Sequence, residues 1–206
     1  STAGIVKEKD GYLMLFRNDY GCTQPEWEAG KRFKGTNIGL ARSRDGIRWT
    51  VDPEPSFELK QLRNEEFVRC YDPRITAMDG HYYVCFAVDT KHGVHGGICV
   101  TDDFKTYDIL SISVPDNRNM VLFPEKINGE FVRLERPMPV YSRHNERFDI
   151  WLSRSPDLIY WGRSSLVLGT ERVPWVNDKI GPTASPIKTE KGWLTLFHAV
   201  DRDENR

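Results

Sequence analysis

The chain has 206 residues, with 29 Lys and Arg against 30 Asp and Glu and a formal net charge of −1. That length supports a sizeable core in one or two domains. The balanced charge excludes a nucleic-acid or membrane-surface role driven by bulk electrostatics, and no run of 18 apolar residues exists to span a membrane.

The opening stretch, STAGIVKEKDGYLML, has no apolar signal core behind a basic end, so the expected location is the cytoplasm. Six runs then read as strands, being short, aromatic and β-branched: GYLMLF (11–16), HYYVCFAV (81–88), GGICV (96–100), EFVRL (130–134), FDIWLS (148–153) and GWLTLFHAV (192–200). Twelve prolines and sixteen glycines punctuate them, and no amphipathic helix of three turns is evident. Cys22, Cys70, Cys85 and Cys99 lack CxxC spacing. Cys85 and Cys99 fall in strand-like runs and are expected to be buried thiols rather than zinc ligands.

Two patterns recur along the chain. The first is a strand, a polar turn and a closing aromatic: NIGLARSRDGIRW (37–49), GGICVTDDFKTY (96–107) and FDIWLSRSPDLIYW (148–161). The closing residues Trp49, Tyr107 and Trp161 stand 58 and 54 positions apart. The second is a turn entering an aromatic strand, at KDGYLMLF, MDGHYYVCF, INGEFVRL and EKGWLTLF, where Asp-Gly and Asn-Gly are hairpin signals. The patterns interleave, so each period holds about four strands, as one propeller blade does. A β-sandwich with coincidental spacing is the alternative. Between three and four periods are visible, fewer than a closed ring requires. Residues 1–206 are therefore expected to form one propeller domain, incomplete at its C-terminal end.

Polar groups sit at the ends of apolar runs: Arg17 after YLMLF, Asp72 before PRIT, Arg118 before NMVLFPEK, Arg136 after FVRLE, Lys179 before IGPTASP and His198 after LTLF. If the innermost strand of each blade carries them, they converge on one axial pocket. One carboxylate would then face several cations, more than a single catalytic acid needs and well suited to a phosphate. Each arginine alone also reads as a surface ion pair, and Asp72 in YDPRIT also reads as an Asp-Pro turn cap. Glu125, beside Lys126, reads as a charged rim, and the two-carboxylate pattern of most glycosidases is not evident. His92 and His95, in TKHGVHGG, read as loop or substrate-contact residues with no metal partner nearby.

At YDPRITA (71–77), NRNMVLFPEKINGEFVRLERP (117–137), DLIYW (157–161), NDKIG (177–181) and PIKTEKGWLTLFHAV (186–200), the chain resembles glycoside hydrolase family 130, the β-mannoside phosphorylases. The resemblance runs from about Arg17 to the end. It implies a five-bladed all-β propeller and inverting phosphorolysis of mannosyl-glucose or manno-oligosaccharides, yielding α-mannose 1-phosphate and a shortened sugar. Asp72 matches the general acid, thought to act through a hydroxyl of the mannosyl unit. Arg118, Arg136, Lys179 and His198 match the phosphate-binding group, Arg17 a residue holding the mannosyl unit, and Tyr71 a neighbour of the acid lining that pocket. The expected partners are a β-mannoside oligosaccharide and inorganic phosphate as co-substrate. No metal or organic cofactor is implied, and assembly into homo-oligomers is compatible with the family. Ala199 stands where the family often has glycine, and segment 18–36 looks like a longer excursion that would shape the acceptor subsite. A β-mannosidase using water, a non-catalytic glycan-binding propeller and an arabinan- or fructan-cleaving glycosidase with a second carboxylate are the competing readings.

Overall fold

The computed structural model describes residues 3–62, 66–138 and 147–202; the last four residues of the terminal run HAVDRDENR fall outside it. Strands dominate, in three four-stranded antiparallel sheets and a smaller fourth element. The first sheet is β1 (Ala3–Glu8), β2 (Gly11–Tyr20), β3 (Gly35–Ser43) and β4 (Thr50–Val51), in that order, with the five-residue helix α1 (Gln24–Glu28) between β2 and β3. The second is β5 (Phe67–Met78), β6 (His81–Thr90), β7 (Gly93–Thr101) and β8 (Asp108–Ile112). The third is β9 (Asn117–Leu122), β10 (Phe131–Pro137), β11 (Ile150–Ser155) and β12 (Gly162–Leu168). In the fourth, β13 (Lys179–Pro182) pairs with β16 (Phe197–Val200), and β14 (Ile187–Thr189) pairs with β15 (Gly192–Leu194). Together these four short strands make one long hairpin, interrupted midway.

The first strands of successive sheets, β1, β5, β9 and β13, pack beside one another. They are the inner strands of adjacent propeller blades. Apolar side chains fill the space between blades. Leu13, Leu15, Ile38, Phe57, Val84 and Phe86 join the first blade to the second; Cys85, Ile98, Met120 and Leu122 join the second to the third; Val121, Leu134, Ile150 and Ile180 join the third to the fourth. Each such side chain contributes about 1.5–3 kcal/mol by leaving water. Ile187, Leu194, Leu196 and Phe197 of the fourth hairpin remain exposed.

Local chemistry explains the blade repeat. Asp79-Gly80 and Asn128-Gly129 have positive φ at both positions (52° and 81°, 53° and 82°), the mirror-image turn that matches the twist of the flanking strands. The turns between third and fourth strands share a second device. The carboxylate of Asp45 accepts the backbone N–H groups of Ile47 and Arg48, that of Asp103 those of Lys105 and Thr106, and that of Asp157 those of Ile159 and Tyr160. The hydroxyls of Ser43, Thr101 and Ser155 accept the N–H of Gly46, Phe104 and Leu158, the residues that take φ of 75°, 56° and 69°. The closing aromatics follow three residues later. This is the physical content of the first sequence pattern.

Several expectations change in detail. The run at 148–153 enters its strand only at Ile150, and the run at 192–200 is broken between Leu194 and Phe197. His95 is not a loop residue: it sits in β7 opposite Val88, and its Nδ1 donates to the Ser113 carbonyl at 2.7 Å. Asp72 does not lie before a strand; it interrupts one, inside the twelve-residue β5. Cys70, Cys85 and Cys99 are buried free thiols, with Cys85 pushed up to about 12 by burial. Among the described residues no His, Cys, Asp or Glu cluster has a metal-binding arrangement, and no helix is long and apolar enough to cross a membrane.

Candidate active site

Asp72 owes its position to a bulge. The β5–β6 ladder shifts register between Tyr71 and Arg74, and Asp72 takes φ 55°. A non-glycine residue in the left-handed region is uncommon, although Asp is among those that tolerate it. Pro73 follows and removes a donor from the ladder at the same point. The β9–β10 ladder shifts at the corresponding place, where Asn119, just after Arg118, takes φ 56°.

The candidate residues do come together, but not all from inner strands. Asp72, Arg118 and Lys179 lie on inner strands β5, β9 and β13, whereas Arg17, Arg136 and His198 lie on second strands β2, β10 and β16. The expectation that inner strands alone line the site is corrected accordingly. Ladder pairing accounts for the arrangement: Arg136 stands opposite Arg118, and His198 opposite Gly181 two residues beyond Lys179.

The geometry divides into an acid side and a cationic side. On the acid side, Nη1 of Arg17 lies 4.0 Å from Oδ1 of Asp72. Arg17 is itself held by Asp19, Nε to Oδ2 at 2.8 Å, and Asp19 also accepts the Thr36 hydroxyl. Tyr71 is 2% exposed, so it stands behind the pocket rather than lining it. Its hydroxyl donates to Asp89 at 2.6 Å, while Arg17 and Arg69 approach its ring face at 5.2 and 4.6 Å.

On the cationic side, Arg136 is 1% exposed and its Nη1 donates to Nε2 of His198 at 3.1 Å. Arginine has no acceptor, so this bond requires neutral His198 with its proton on Nδ1. Burial, reinforced by Arg136, Arg74, Arg118 and Lys179, pulls the His198 imidazole down to about 4. Burial and the neighbouring Arg118 likewise pull Arg136 down to about 10. Lys179 lies 3.3 Å from Asp178, which also holds Arg202. Cations crowded enough to depress one another make a site in want of an anion. Unmatched donors say the same: the buried Nε atoms of Arg74, Arg118 and Arg136 have no hydrogen-bond partner.

Three contributors escape a reading of the sequence. Arg74, only 3% exposed, donates to the Pro73 carbonyl at 3.0 Å, and its charge acts on both Asp72 and His198. It is visible in YDPRIT, yet nothing in the string says that the fourth residue of the motif turns inward. Gly181 is needed for space: a Cβ there would lie 2.7 Å from the His198 ring and 3.0 Å from Arg136 Nη1. Asp89 carries no sequence signal at all, because its importance rests on a partner eighteen residues away. His92 and Glu125 lie apart from the cluster, and Glu125 pairs with Lys188 at the rim.

Comparison with known proteins places this geometry. The family model described as β-1,4-mannooligosaccharide phosphorylase matches residues 26–206. The chain is 37% identical over 200 residues to a β-1,4-mannooligosaccharide phosphorylase of Ruminococcus albus, covering 94% of this chain and 55% of that protein. It is 34% identical over 213 residues to a β-1,2-mannobiose phosphorylase of Listeria innocua, covering 98% and 58%. A solved β-1,2-mannobiose phosphorylase from Listeria innocua, in complex with β-1,2-mannobiose, superposes with a TM-score of 0.80 at 26% identity, covering 99% of this chain and 68% of that one. The chain thus spans a little over half the length of these two curated relatives. The fold is that of a five-bladed propeller, of which the described residues supply three blades and the inner pair of a fourth. Motifs, blade order and matched length agree, and the chain belongs to glycoside hydrolase family 130.

Proposed function

We propose that the protein of which this chain forms part is an inverting β-mannoside phosphorylase. The observation that carries this reading is the imbalance of the site: one bulge-borne carboxylate, Asp72, beside Arg118, Arg136, Lys179 and a neutral His198, with three buried guanidinium Nε atoms unmatched. Among the described residues, the flanking carboxylates Asp19, Asp89 and Asp178 are each held by a cation, which favours phosphate over an activated water as the nucleophile. Phosphate needs no base, because it arrives already nucleophilic.

In this scheme Arg17 holds the mannosyl unit against Asp72. The cations seat the phosphate on the face opposite the leaving oxygen and offset its charge as it approaches the anomeric carbon. A phosphate oxygen forms the new bond to that carbon while the bond to the leaving sugar oxygen breaks. The proton released by Asp72 ends on that leaving oxygen, through a hydroxyl of the mannosyl unit. The products are α-mannose 1-phosphate and the shortened sugar. Loop 21–34, which leaves β2 three residues beyond Arg17 and carries Trp27 stacked on Phe33, is proposed to border the acceptor unit.

The deciding experiment incubates the intact protein with short β-1,4- and β-1,2-linked mannosides, with and without inorganic phosphate. Mannose 1-phosphate should form, and only with phosphate. Free mannose at equal rates in both arms would hand the reaction to water and end the phosphorylase reading.

A further inference from the structure

Asp89 lies on β6, one strand outward from the acid, and its two oxygens have separate duties. Oδ2 takes Arg69 through Nε at 2.9 Å and Nη2 at 2.7 Å; Oδ1 accepts the Tyr71 hydroxyl proton at 2.6 Å. The ladder makes this possible, because Arg69 and Asp89 are directly opposed in register. A phenol has one proton, and here it is committed to Asp89. What the Tyr71 oxygen can still offer is a lone pair, and Nη1 of Arg118 donates to it at 3.4 Å. The ring cannot swing away, since Tyr71 is 2% exposed and carries Arg69 and Arg17 near its face.

From this chain of contacts we infer that Asp89 is a positioning residue for the anion. By fixing the direction of the Tyr71 hydroxyl, it presents an acceptor that orients the Arg118 guanidinium across the gap between the second and third blades. The inference rests on the reading of Arg118 as a phosphate ligand. A purely structural role, closing the rim of the second blade through Arg69, makes a different forecast: stability falls, or both substrates are affected alike.

Asp89→Asn separates the two. The amide is isosteric but has a single acceptor oxygen, which cannot serve Arg69 and Tyr71 together. Should the amide nitrogen face Tyr71, the hydroxyl must accept from it and turn its own proton toward Arg118. Arg69, a charged double donor, draws the amide oxygen to itself, so this is the arrangement expected, and in it Arg118 loses its anchor. Calorimetric titration of the intact protein with inorganic phosphate, without sugar, should show affinity about tenfold weaker in Asp89→Asn, the loss expected for one hydrogen bond to a charged group. In turnover, the KM for phosphate should rise by a similar factor while the KM for the mannoside changes less than twofold. Tyr71→Phe should reproduce the effect, and the double variant should bind phosphate no more weakly than Tyr71→Phe alone. If Asp89→Asn does not fold, Tyr71→Phe carries the test.

Phosphate affinity within twofold of wild type, an equal rise in both KM values, or multiplying effects in the double variant would overturn the inference. The readout does not require catalysis. Wild-type protein that binds phosphate yet releases no mannose 1-phosphate would remove the phosphorylase reading and leave the positioning test intact. Wild-type protein that does not bind phosphate would remove both.

Discussion

The two ends of the blades use similar residues to opposite purposes. At one end, Asp45, Asp103 and Asp157 repeat a single arrangement three times, one oxygen of each carboxylate accepting two backbone N–H groups of its own turn. Those bonds hold Asp103 down to about 2. At the other end no blade repeats its neighbour: the second contributes an acid, the third two arginines and the fourth a lysine and a histidine. There the polar groups are incompletely matched, and burial, reinforced by like charges nearby, depresses Arg136 and His198. Repetition with partners inside the turn itself marks groups that build the fold. Divergence with unmatched donors is the pattern the proposed phosphate site requires.

Mutations can break or sharpen this contrast, and the largest effect belongs to the acid. Asp72→Asn should lower mannose 1-phosphate formation by about 10²–10⁴-fold, the usual contribution of a general acid, without lowering the melting temperature. Retention of more than a tenth of the activity would remove Asp72 from the chemistry. Next comes Arg136→Ala, which removes a desolvated forked donor. The KM for phosphate should rise by roughly 10–100-fold, as for charge-assisted bonds, while the KM for the mannoside stays close to wild type. Parallel rises in both would mean that Arg136 serves the fold.

His198 gives a smaller signal with a defined sign. Its folded-state value of about 4 lies below the ordinary value of 6.5, so its contribution to stability is complete above pH 6.5 and is lost as pH falls toward 4. The wild-type melting temperature should therefore drop more between pH 7 and pH 5 than that of His198→Gln. Bound phosphate adds the missing negative charge, and NMR titration of the imidazole should show its value rising toward the ordinary range when phosphate is present. An unmoved titration would place the anion elsewhere. The smallest functional effect is expected at the repeating end. Asp103→Ala should lower the melting temperature by removing the turn's acceptor and leave both KM values unchanged; a change in phosphate KM would dissolve the distinction between the two ends.

Much of this was legible in the sequence because it is local. Asp-Gly and Asn-Gly reported the inner hairpins, and the spacing from Trp49 to Tyr107 to Trp161 reported the blades, since each depends on a few consecutive residues. The chain's own periodicity also brought Asp72, Arg118, Arg136, Lys179 and His198 into one short roll. What it could not convey is pairing across strands. That Arg136 and His198 come from second strands, that Arg74 is buried, and that Gly181 clears room for Arg136 and the neutral His198 are consequences of register. Strands such as β1 and β12 have too little aromatic or alternating content to stand out from turns.

The left-handed steps at Asp72 and Asn119 have a wider consequence. Neighbouring inner strands carry the same kink at matching places, one furnished with a carboxylic acid and the other with its amide. The kink is a property of the chain path, so a blade copied within an ancestral gene would inherit it as an empty socket. Chemistry could then be installed, lost or moved between blades by exchanging one side chain, with no need to redesign the scaffold.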